Sequence, residues 1–437
     1  MSGGIQRKNI NIISLGCSKN LVDSERLLRQ LYDCGFEVSH NAENIKGGIV
    51  VINTCGFIGD AKEESINTIL SFAQAKTEGK IDGLYVMGCL SERYRNELTN
   101  EIPEIDKLYG KFDWVNFIFE ICKKHPATLP YERIITTPSH HAYLKIAEGC
   151  NRYCAFCAIP LITGRFKSRP MEEILEEVKD LVRHGVKEFN VIAQDLSSYG
   201  LDLYRRLALP ELIEKMAEII GVEWIRLHYA YPAQFPEEIL DVMSRHSNVC
   251  KYLDIALQHI NDDVLSNMKR HINRNETLAL IHKIREKVPG IHIRTTLMVG
   301  FPGEDEKAFE ELKEFVKTAR FERMGAFAYC EEEDTYAAKQ FDDNIPQSVK
   351  ERRLSEIMAL QEEISLEINE SKIGSILKVI IDREESDYFI GRTEYDSPEV
   401  DPEVLIEKDS ALKVGEFYTV KVTGALPFEL IGKAINN

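Results

Sequence analysis

The sequence contains no continuous run of about 18 apolar residues, the length that a membrane-spanning helix needs. Its first residues, Met1 to Asn9, are polar and lack the apolar core of a secretory signal peptide. An excess of basic residues is also missing, since 54 Lys and Arg stand against 71 Asp and Glu, a formal charge of −17. Without an apolar run or a signal peptide, we expect a cytoplasmic protein that does not bind membranes. Phosphate contacts need basic side chains, so we expect no binding to DNA and a preference for a basic partner.

Cysteine, in contrast, is plentiful, with ten residues in the chain. In a reducing compartment these residues are expected to be thiols, metal ligands or catalytic groups rather than disulfides. Six of them form two sets of three. The other four have no partner at a suitable spacing and are predicted to be buried thiols: Cys34, Cys122, Cys250 and Cys330.

The pattern of short apolar runs and helical segments divides the chain into three parts. Residues 8–125 alternate three strands with helices, which predicts a parallel α/β domain. Residues 140–372 repeat this alternation six times and end in a long amphipathic helix, which predicts a partial (β/α)6 barrel. Residues 373–437 have short strands between Gly, Pro and Asp turns, which predicts a small antiparallel β-barrel. The predicted fold class is therefore α/β multidomain.

Three cysteines lie within eight residues, directly after the first predicted barrel strand. Cys150, Cys154 and Cys157 form the motif C-x-x-x-C-x-F-C. Three thiolates at this spacing can hold a 4Fe–4S cluster and leave one iron open for a substrate or cofactor. A zinc site is the alternative, although structural zinc normally takes four protein ligands. Three incidental loop thiols are the remaining interpretation.

A second set of cysteines is spread along the N-terminal part. Cys17, Cys55 and Cys89 each follow one of the three predicted strands, at separations of 38 and 34 residues. Because loops after parallel strands lie along one edge of the sheet, the three thiols can converge there. Neighbouring glycines let the backbone approach a bulky inorganic group. This pattern predicts a second metal cluster, with ordinary buried cysteines as the alternative.

The cysteine motif after the first strand of a six-unit barrel resembles the radical S-adenosylmethionine (radical SAM) superfamily. Together with the N-terminal cysteine domain and the C-terminal β-barrel, the whole chain resembles the methylthiotransferases of that superfamily. The matching segments are SLGCSKNLVDSE (Ser14–Glu25), INTCGFI (Ile52–Ile58), MGCL (Met87–Leu90), AEGCNRYCAFCAIP (Ala147–Pro160), AQDLSSYG (Ala193–Gly200), LHYAYP (Leu227–Pro232), DIALQH (Asp254–His259) and VGFPGE (Val299–Glu304).

The resemblance implies a transferase with two 4Fe–4S clusters and S-adenosylmethionine as cofactors. One cluster would be bound by Cys17, Cys55 and Cys89, and the catalytic cluster by Cys150, Cys154 and Cys157. The C-terminal barrel would be a TRAM domain that binds the substrate. Contacts to S-adenosylmethionine are expected from residues near the strand ends, each of which could instead make an ordinary loop hydrogen bond: Phe156, Gln194, Asp195, Ser197, Gln258 and Arg294.

Two substrate classes occur among the methylthiotransferases. The RimO type modifies the β-carbon of an aspartate in a small-subunit ribosomal protein, the twelfth, and the MiaB type modifies an adenosine in transfer RNA. The segments AQDLSSYG and HYAYP are closer to the RimO type. Residues Gly374–Asn437 carry 7 basic and 13 acidic residues, a formal charge of −6 that suits docking of a basic ribosomal protein better than RNA.

We therefore expect a ribosomal protein methylthiotransferase that draws on an external electron donor and a sulfur source. A transfer RNA methylthiotransferase of the MiaB type is the first alternative. The second is a non-catalytic iron–sulfur factor for ribosome assembly, which would explain the cysteines but not an open three-ligand site in a six-unit barrel.

Overall fold

A computed structural model describes residues 9–43, 45, 47–123, 128–129, 131–408 and 412–435. The predicted domain limits at residues 8, 125 and 437 lie outside these residues, as does most of the polar segment Met1–Asn9. The chain forms two compact units. The first comprises Met1–Thr137, Tyr143–Asn151 and Ala158–Glu177, and the second comprises Pro138–Ala142, Arg152–Cys157 and Val178–Asn437. None of the helices in the described ranges combines the length and apolar character that a bilayer crossing requires.

Short strands and helices alternate over most of the chain. The strands are β1 (Asn9–Ser14), β2 (Glu37–His40), β3 (Ile49–Thr54), β4 (Gly83–Gly88), β5 (Lys107–Leu108), β6 (His141–Lys145), β7 (Ala147–Glu148), β8 (Lys167–Ser168), β9 (Glu188–Ile192), β10 (Trp224–Ala230), β11 (Val249–Ile255), β12 (His292–Val299), β13 (Arg323–Ala328), β14 (Ile376–Glu384), β15 (Tyr388–Thr393), β16 (Glu403–Glu407), β17 (Phe417–Leu426) and β18 (Glu429–Ala434). The helices are α1 (Ser18–Asp33), α2 (Gly59–Thr77), α3 (Cys89–Arg93), α4 (Arg95–Glu101), α5 (Trp114–Cys122), α6 (Ile159–Thr163), α7 (Met171–Arg183), α8 (Leu209–Ala217), α9 (Glu238–Arg245), α10 (Asp262–Asn267), α11 (Arg274–Lys287), α12 (Glu306–Ala319), α13 (Tyr336–Gln340) and α14 (Gln347–Glu370).

The first unit contains a parallel sheet with strand order β2-β1-β3-β4-β5. Its three central strands are the predicted ones, whose Val, Ile and Leu side chains form the buried core. The edge strands β2 and β5 were not predicted, because the EVSH sequence of β2 is polar and β5 has only two residues. Helices α1 and α5 pack together through Leu27, Leu28 and Phe117 on one face of this sheet.

The six-stranded sheet has strand order β6-β9-β10-β11-β12-β13, with its first strand beginning in the second unit. Strands β9 to β13 are parallel and follow one another in chain order, as the strands of a partial (β/α)6 barrel do. The predicted long helix is α14, and the C-terminal strands form a closed barrel of order β14-β15-β16-β18-β17. The predicted fold class is thus confirmed.

Within the second unit, buried charges join the closed barrel to the amino-terminal ends of the parallel strands. The Glu188 carboxylate at the start of β9 accepts hydrogen bonds from Arg392 at 2.8 and 3.0 Å and from Arg226 at 3.1 Å. Arg323 on β13 donates to Asp396 at 3.0 and 2.6 Å. All five side chains are buried. Charges removed from water persist only when they are paired in this way, so these pairs depend on one another.

The prediction that the remaining four cysteines are buried thiols was wrong for three of them. Cys34 and Cys122 form a disulfide with a Cα–Cα distance of 5.8 Å across a separation of 88 residues. They stand at the ends of α1 and α5, and the packing of these two helices brings the ends together. Cys330 is an exposed thiol because it follows β13 in a surface loop, whereas Cys250 is buried as predicted.

Candidate functional site

Cys17, Cys55 and Cys89 lie at the carboxyl ends of three adjacent parallel strands. Cys17 precedes α1 as its N-cap, Cys55 directly follows β3, and Cys89 is the first residue of α3 after β4. Cys17 is exposed, and the other two thiols are buried. The structure therefore places this set of thiols along one edge of the sheet in the first unit, open to solvent on the Cys17 side.

Glycines allow the cysteine loops to approach one another. Gly16 has a φ of +82°, and a Cβ atom at this position would lie 2.5 Å from Cys55 Cβ and 2.7 Å from Cys55 Sγ. A Cβ atom on Gly56 would lie 2.8 Å from the backbone nitrogen of Leu90, next to Cys89. The absence of side chains at these two positions is what lets the three loops meet.

We expect the replacement Gly16→Ala to remove the metal cluster predicted at this set of thiols and to spare the cluster predicted at the other set. The new methyl group must displace Cys55, so anaerobically reconstituted protein should fall from about eight to about four irons per chain. Gly35→Ala is the matched control, since Gly35 also has a positive φ of +94° but no atom lies within 4 Å of the added Cβ. An unchanged iron and sulfide content in Gly16→Ala would contradict this expectation.

A buried polar group beside the thiols was not identified from the sequence. The Asn20 side-chain amide donates to the carbonyl oxygens of Leu15 and Thr54 at 3.1 and 2.9 Å, which ties two cysteine loops together. Its Oδ1 atom lies 3.8 Å from Cys89 Sγ and 3.5 Å from Lys111 Nζ. Asn20 belongs to the SKN segment that follows Cys17, which was the available signal, whereas nothing in the sequence indicated Lys111.

Burial shifts the pKa values of two groups at this site, the Cys89 thiol and the Lys111 ammonium. It raises the pKa of the Cys89 thiol to about 12, and the nearby Lys111 ammonium only partly opposes this effect. Burial also disfavours the charged form of Lys111, but the carboxylates of Asp23 and Glu148 outweigh it and raise the pKa of that ammonium. A metal cluster bound at Cys89 would therefore have to displace a proton from this thiol, as coordination of a thiol by a metal does.

The three cysteines of the C-x-x-x-C-x-F-C motif are distributed over both units. Cys150 belongs to the first unit, where its backbone nitrogen donates to the Gly164 carbonyl oxygen at 3.3 Å. Cys154 and Cys157 belong to the second unit and close a tight turn through a 3.0 Å hydrogen bond from the nitrogen of Cys157 to the oxygen of Cys154. Between them, the Ala155 nitrogen donates to Met268 at 2.9 Å, which anchors the turn on the loop after α10.

Arg270 contacts Cys154, and Arg152 stacks on the same tyrosine as Arg270; neither arginine was predicted from the sequence. Arg270 Nη1 donates to Cys154 Sγ at 3.1 Å. The guanidinium carbons of Arg270 and Arg152 each lie 4.2 Å from the centre of the Tyr231 ring. Arg152 stands inside the cysteine motif and could have been noticed there, whereas Arg270 lies 116 residues beyond Cys154 and left no signal.

Several residues predicted to contact S-adenosylmethionine lie in the second unit near the carboxyl ends of the strands. Asp195 accepts a 2.6 Å hydrogen bond from Arg152 through Oδ2, and its buried Oδ1 has no hydrogen-bond partner. Ser197 Oγ donates to the Tyr231 carbonyl oxygen at 3.0 Å. Gln258 has a φ of +73° and a buried Oε1 without a partner. The free acceptors of Asp195 and Gln258 could receive polar hydrogens of a bound cofactor.

The other predicted contact residues have different surroundings. The partly buried ring of Phe156 packs edge-on against Phe301, with the ring centres 6.4 Å apart. Gln194 directly follows Ala193 after β9 and is half-buried. Arg294 does not lie at the carboxyl end of its strand. It is the third residue of β12, and its guanidinium pairs with Asp401 at 3.2 Å and with Asp254 at 3.6 Å.

The donor chemistry fits iron–sulfur clusters. Within the described residues, no three Cys, His, Asp or Glu side chains are arranged to hold a single metal ion. Each set nevertheless supplies three thiols, the ligand type that iron–sulfur clusters require, and Gly16 and Gly56 provide close backbone approach at the first set. Asp195 and Gln258 each have a buried oxygen without a hydrogen-bond partner, which could accept a polar hydrogen of S-adenosylmethionine.

Comparisons with known proteins agree with this description. Residues 144–316 match the Radical SAM superfamily, residues 9–110 match the family described as "Uncharacterized protein family UPF0004", and residues 373–435 match the TRAM domain. The fold is similar to that of the radical S-adenosylmethionine methyltransferase TsrM from Kitasatospora setae, at 14% identity and a TM-score of 0.55 over 74% of this chain and 75% of that chain. The fold and the cysteine motif define a radical SAM enzyme.

Relatives over the full length narrow the class. The chain is 63% identical to the "Ribosomal protein uS12 methylthiotransferase RimO" of Phocaeicola vulgatus, over 98% of this chain and 99% of that protein. It is 61% identical to the protein of the same name from Bacteroides fragilis, over 99% of this chain and 100% of that protein. The chain belongs to the RimO family of methylthiotransferases.

This membership confirms the resemblance seen in the sequence, the transferase activity and the cofactors of the family, which are two 4Fe–4S clusters and S-adenosylmethionine. The interpretation as a non-catalytic assembly factor is not supported. The assignment of individual cysteines and of cofactor contacts stays a prediction, as do the domain limits.

Proposed function

We propose that the protein transfers a methylthio group to the β-carbon of an aspartate in the small-subunit ribosomal protein uS12. The observation that carries this proposal is the 63% identity, over 98% of the chain, to a protein named for that substrate. A ribosomal substrate also supports a cytoplasmic location. The three parts predicted from the sequence would then be a cluster domain at 8–125, a radical SAM barrel at 140–372 and a TRAM domain at 373–437.

The two sets of cysteines take different roles in this proposal. Cys150, Cys154 and Cys157 would bind the catalytic cluster, and a second cluster would be held by Cys17, Cys55 and Cys89. The catalytic cluster, when bound, supplies the electron for reductive cleavage of S-adenosylmethionine, which opens C–H bonds that acid–base chemistry cannot activate. The electron and the sulfur come from an external donor and an external source.

The chain's own residues would hold the cofactor and keep its surroundings rigid. Asp195 and Gln258 each offer a buried, partnerless oxygen to the polar groups of the cofactor. Ser197 acts indirectly by holding the backbone of Tyr231. Its hydroxyl donates to the Tyr231 carbonyl oxygen at 3.0 Å and accepts from the Tyr231 nitrogen at 2.8 Å. Fixing such groups before the cofactor arrives lowers the entropic cost of orienting it. Phe156, Gln194 and Arg294 remain candidates for further contacts.

The TRAM domain would dock the basic substrate through its acidic surface. Its formal charge of −6 complements a basic ribosomal protein and repels the backbone of transfer RNA. Part of that charge is used internally, since Asp382, Asp396 and Asp401 pair with His140, Arg323 and Arg294. Exposed carboxylates that we propose for docking are Asp387 and Glu407.

The test is an anaerobic assay of the reconstituted full chain with S-adenosylmethionine, dithionite and sulfide. Unmodified ribosomes and unmodified transfer RNA, both from a strain lacking the gene, serve as the two substrates. We expect mass spectrometry to find a methylthio group on an aspartate of uS12 and no new nucleoside in the RNA. Cys330→Ser, which changes an exposed thiol outside both sets, should remain active. Modification of adenosine instead of aspartate would support the MiaB type, and absence of both products would refute the proposal.

A further inference from the structure

Arg270 makes a direct hydrogen bond to a thiol of the proposed catalytic cluster. Its Nη1 lies 3.1 Å from Cys154 Sγ, within the range for an N–H donor and a sulfur acceptor. The side chain is 3% exposed and lies in the loop between α10 and α11. A second nitrogen, Nη2, donates to the Ala256 carbonyl oxygen after β11. The guanidinium is therefore a positive charge placed next to the sulfur and removed from water.

Aromatic stacking holds this charge in place. The Tyr231 ring is 4.2 Å from the guanidinium carbon of Arg270, and its hydroxyl donates to the Arg270 carbonyl oxygen at 2.7 Å. Arg152 stacks on the same ring at 4.2 Å and is fixed in turn by Asp195 at 2.6 Å. Arg270 thus has contacts on its side chain and its backbone, so it cannot turn away from Cys154 without breaking several of them.

The charge of a cluster becomes more negative by one unit when it accepts an electron. Hydrogen bonds to the ligating sulfurs and nearby positive charges stabilise the reduced form, and both raise the reduction potential. The effect is larger in a buried site, where the effective dielectric constant is lower than in water. An arginine keeps its charge at every physiological pH, so the stabilisation does not depend on protonation.

We propose that Arg270 is a positioning residue that raises the reduction potential of the cluster bound by Cys150, Cys154 and Cys157. This proposal rests on the proposed function, because it assumes that those cysteines hold the cluster. It adds that the stack of Arg270, Tyr231 and Arg152 makes the cluster easier to reduce by the external donor.

The experiment is an EPR-monitored redox titration of reconstituted full-length protein without S-adenosylmethionine. The background Cys17→Ala, Cys55→Ala and Cys89→Ala leaves one cluster to observe. Arg270→Met keeps the volume but loses the charge, and we expect the equilibrium constant for reduction to fall at least tenfold, which is 59 mV for a one-electron couple. Arg270→Lys keeps the charge and should shift the potential less. Arg274→Met is the control, because Arg274 pairs with Glu311 on the surface and should leave the potential unchanged.

The outcomes separate this proposal from the proposed function. Four irons with an unshifted potential in Arg270→Met would overturn the role of Arg270 and leave the function intact. If neither Arg270 variant assembles a cluster while Arg274→Met does, Arg270 serves assembly and the proposal on potential is also wrong. Absence of a cluster in the background protein itself would instead contradict the proposed function.

Discussion

The replacement Cys154→Ala is expected to abolish reductive cleavage of S-adenosylmethionine. Without this thiolate the proposed catalytic cluster would lose one of its three protein ligands. The iron content of reconstituted protein should fall from about eight to about four per chain. The rate of cleavage should fall at least about 10⁶-fold, the lower end of enzymatic rate enhancements. The reason is that no protein side chain can supply the electron that the cluster provides.

The measurement is the amount of 5′-deoxyadenosine formed under dithionite, together with iron and sulfide analysis. The triple replacement of Cys17, Cys55 and Cys89 by alanine provides the complementary case. It should also contain about four irons and should still cleave S-adenosylmethionine, yet form no methylthio product. If Cys154→Ala kept eight irons and full cleavage, the assignment of the catalytic cluster to this motif would be wrong.

The second large effect is expected on stability, from the replacement Glu188→Gln. This carboxylate is fully buried and neutralises Arg392 and Arg226 between β9 and the TRAM barrel. Glutamine has nearly the same shape but no charge, so among the described ion pairs of the two buried arginines only that of Arg392 with Asp382 remains. Breaking a buried pair in this way typically lowers the free energy of unfolding by about 3–5 kcal/mol.

Urea unfolding followed by tryptophan fluorescence measures this effect directly. Trp224 is buried and packs against Phe417 of the TRAM barrel with ring centres 4.8 Å apart, so its emission reports on this contact. The matched control is Glu223→Gln, because Glu223 pairs with Lys378 of the same barrel at 3.2 Å but both side chains are about half exposed. An exposed pair contributes about 0–1 kcal/mol. Equal losses in the two variants would contradict the importance of burial.

The effect of Glu188→Gln should depend on pH with a defined sign. Burial alone would raise the pKa of Glu188, but Arg392 and Arg226 outweigh it and hold that pKa far below its ordinary value. The stabilisation by the carboxylate is therefore complete above its unfolded pKa of about 4.3 and is lost as the pH falls below it. The difference between wild type and variant should be largest above about pH 5 and should shrink in acid.

Short sequence patterns were sufficient to predict most of the strands and helices. The six strand–helix repeats predicted over residues 140–372 are observed, and the long amphipathic helix predicted at their end is observed at Gln347–Glu370. Runs of buried Val, Ile and Leu identify such elements because they depend on residues that are adjacent in the chain. The edge strand β2 was not predicted, because its EVSH sequence has no apolar run. The cysteine sets were also visible, because each thiol follows a strand end.

Contacts between distant parts of the chain could not be predicted in the same way. The disulfide of Cys34 and Cys122 depends on how two helices pack, and the bond from Arg270 to Cys154 spans 116 residues. The partners of Arg294, which are Asp254 and Asp401, could not be predicted from the sequence either. The partner of a charged side chain cannot be predicted from the local sequence, because burial and pairing are properties of the folded chain.

By itself the sequence determined the order of the strands and helices, the positions of the thiols and the family, since periodicity and motif spacing act over short stretches. The tertiary structure alone decided which charges are buried together, that Arg270 and Tyr231 stand beside Cys154, and that part of the acidity of the TRAM domain is neutralised by arginines of the radical SAM barrel. Those pairings arise only when packing excludes water and each buried charge must find its opposite.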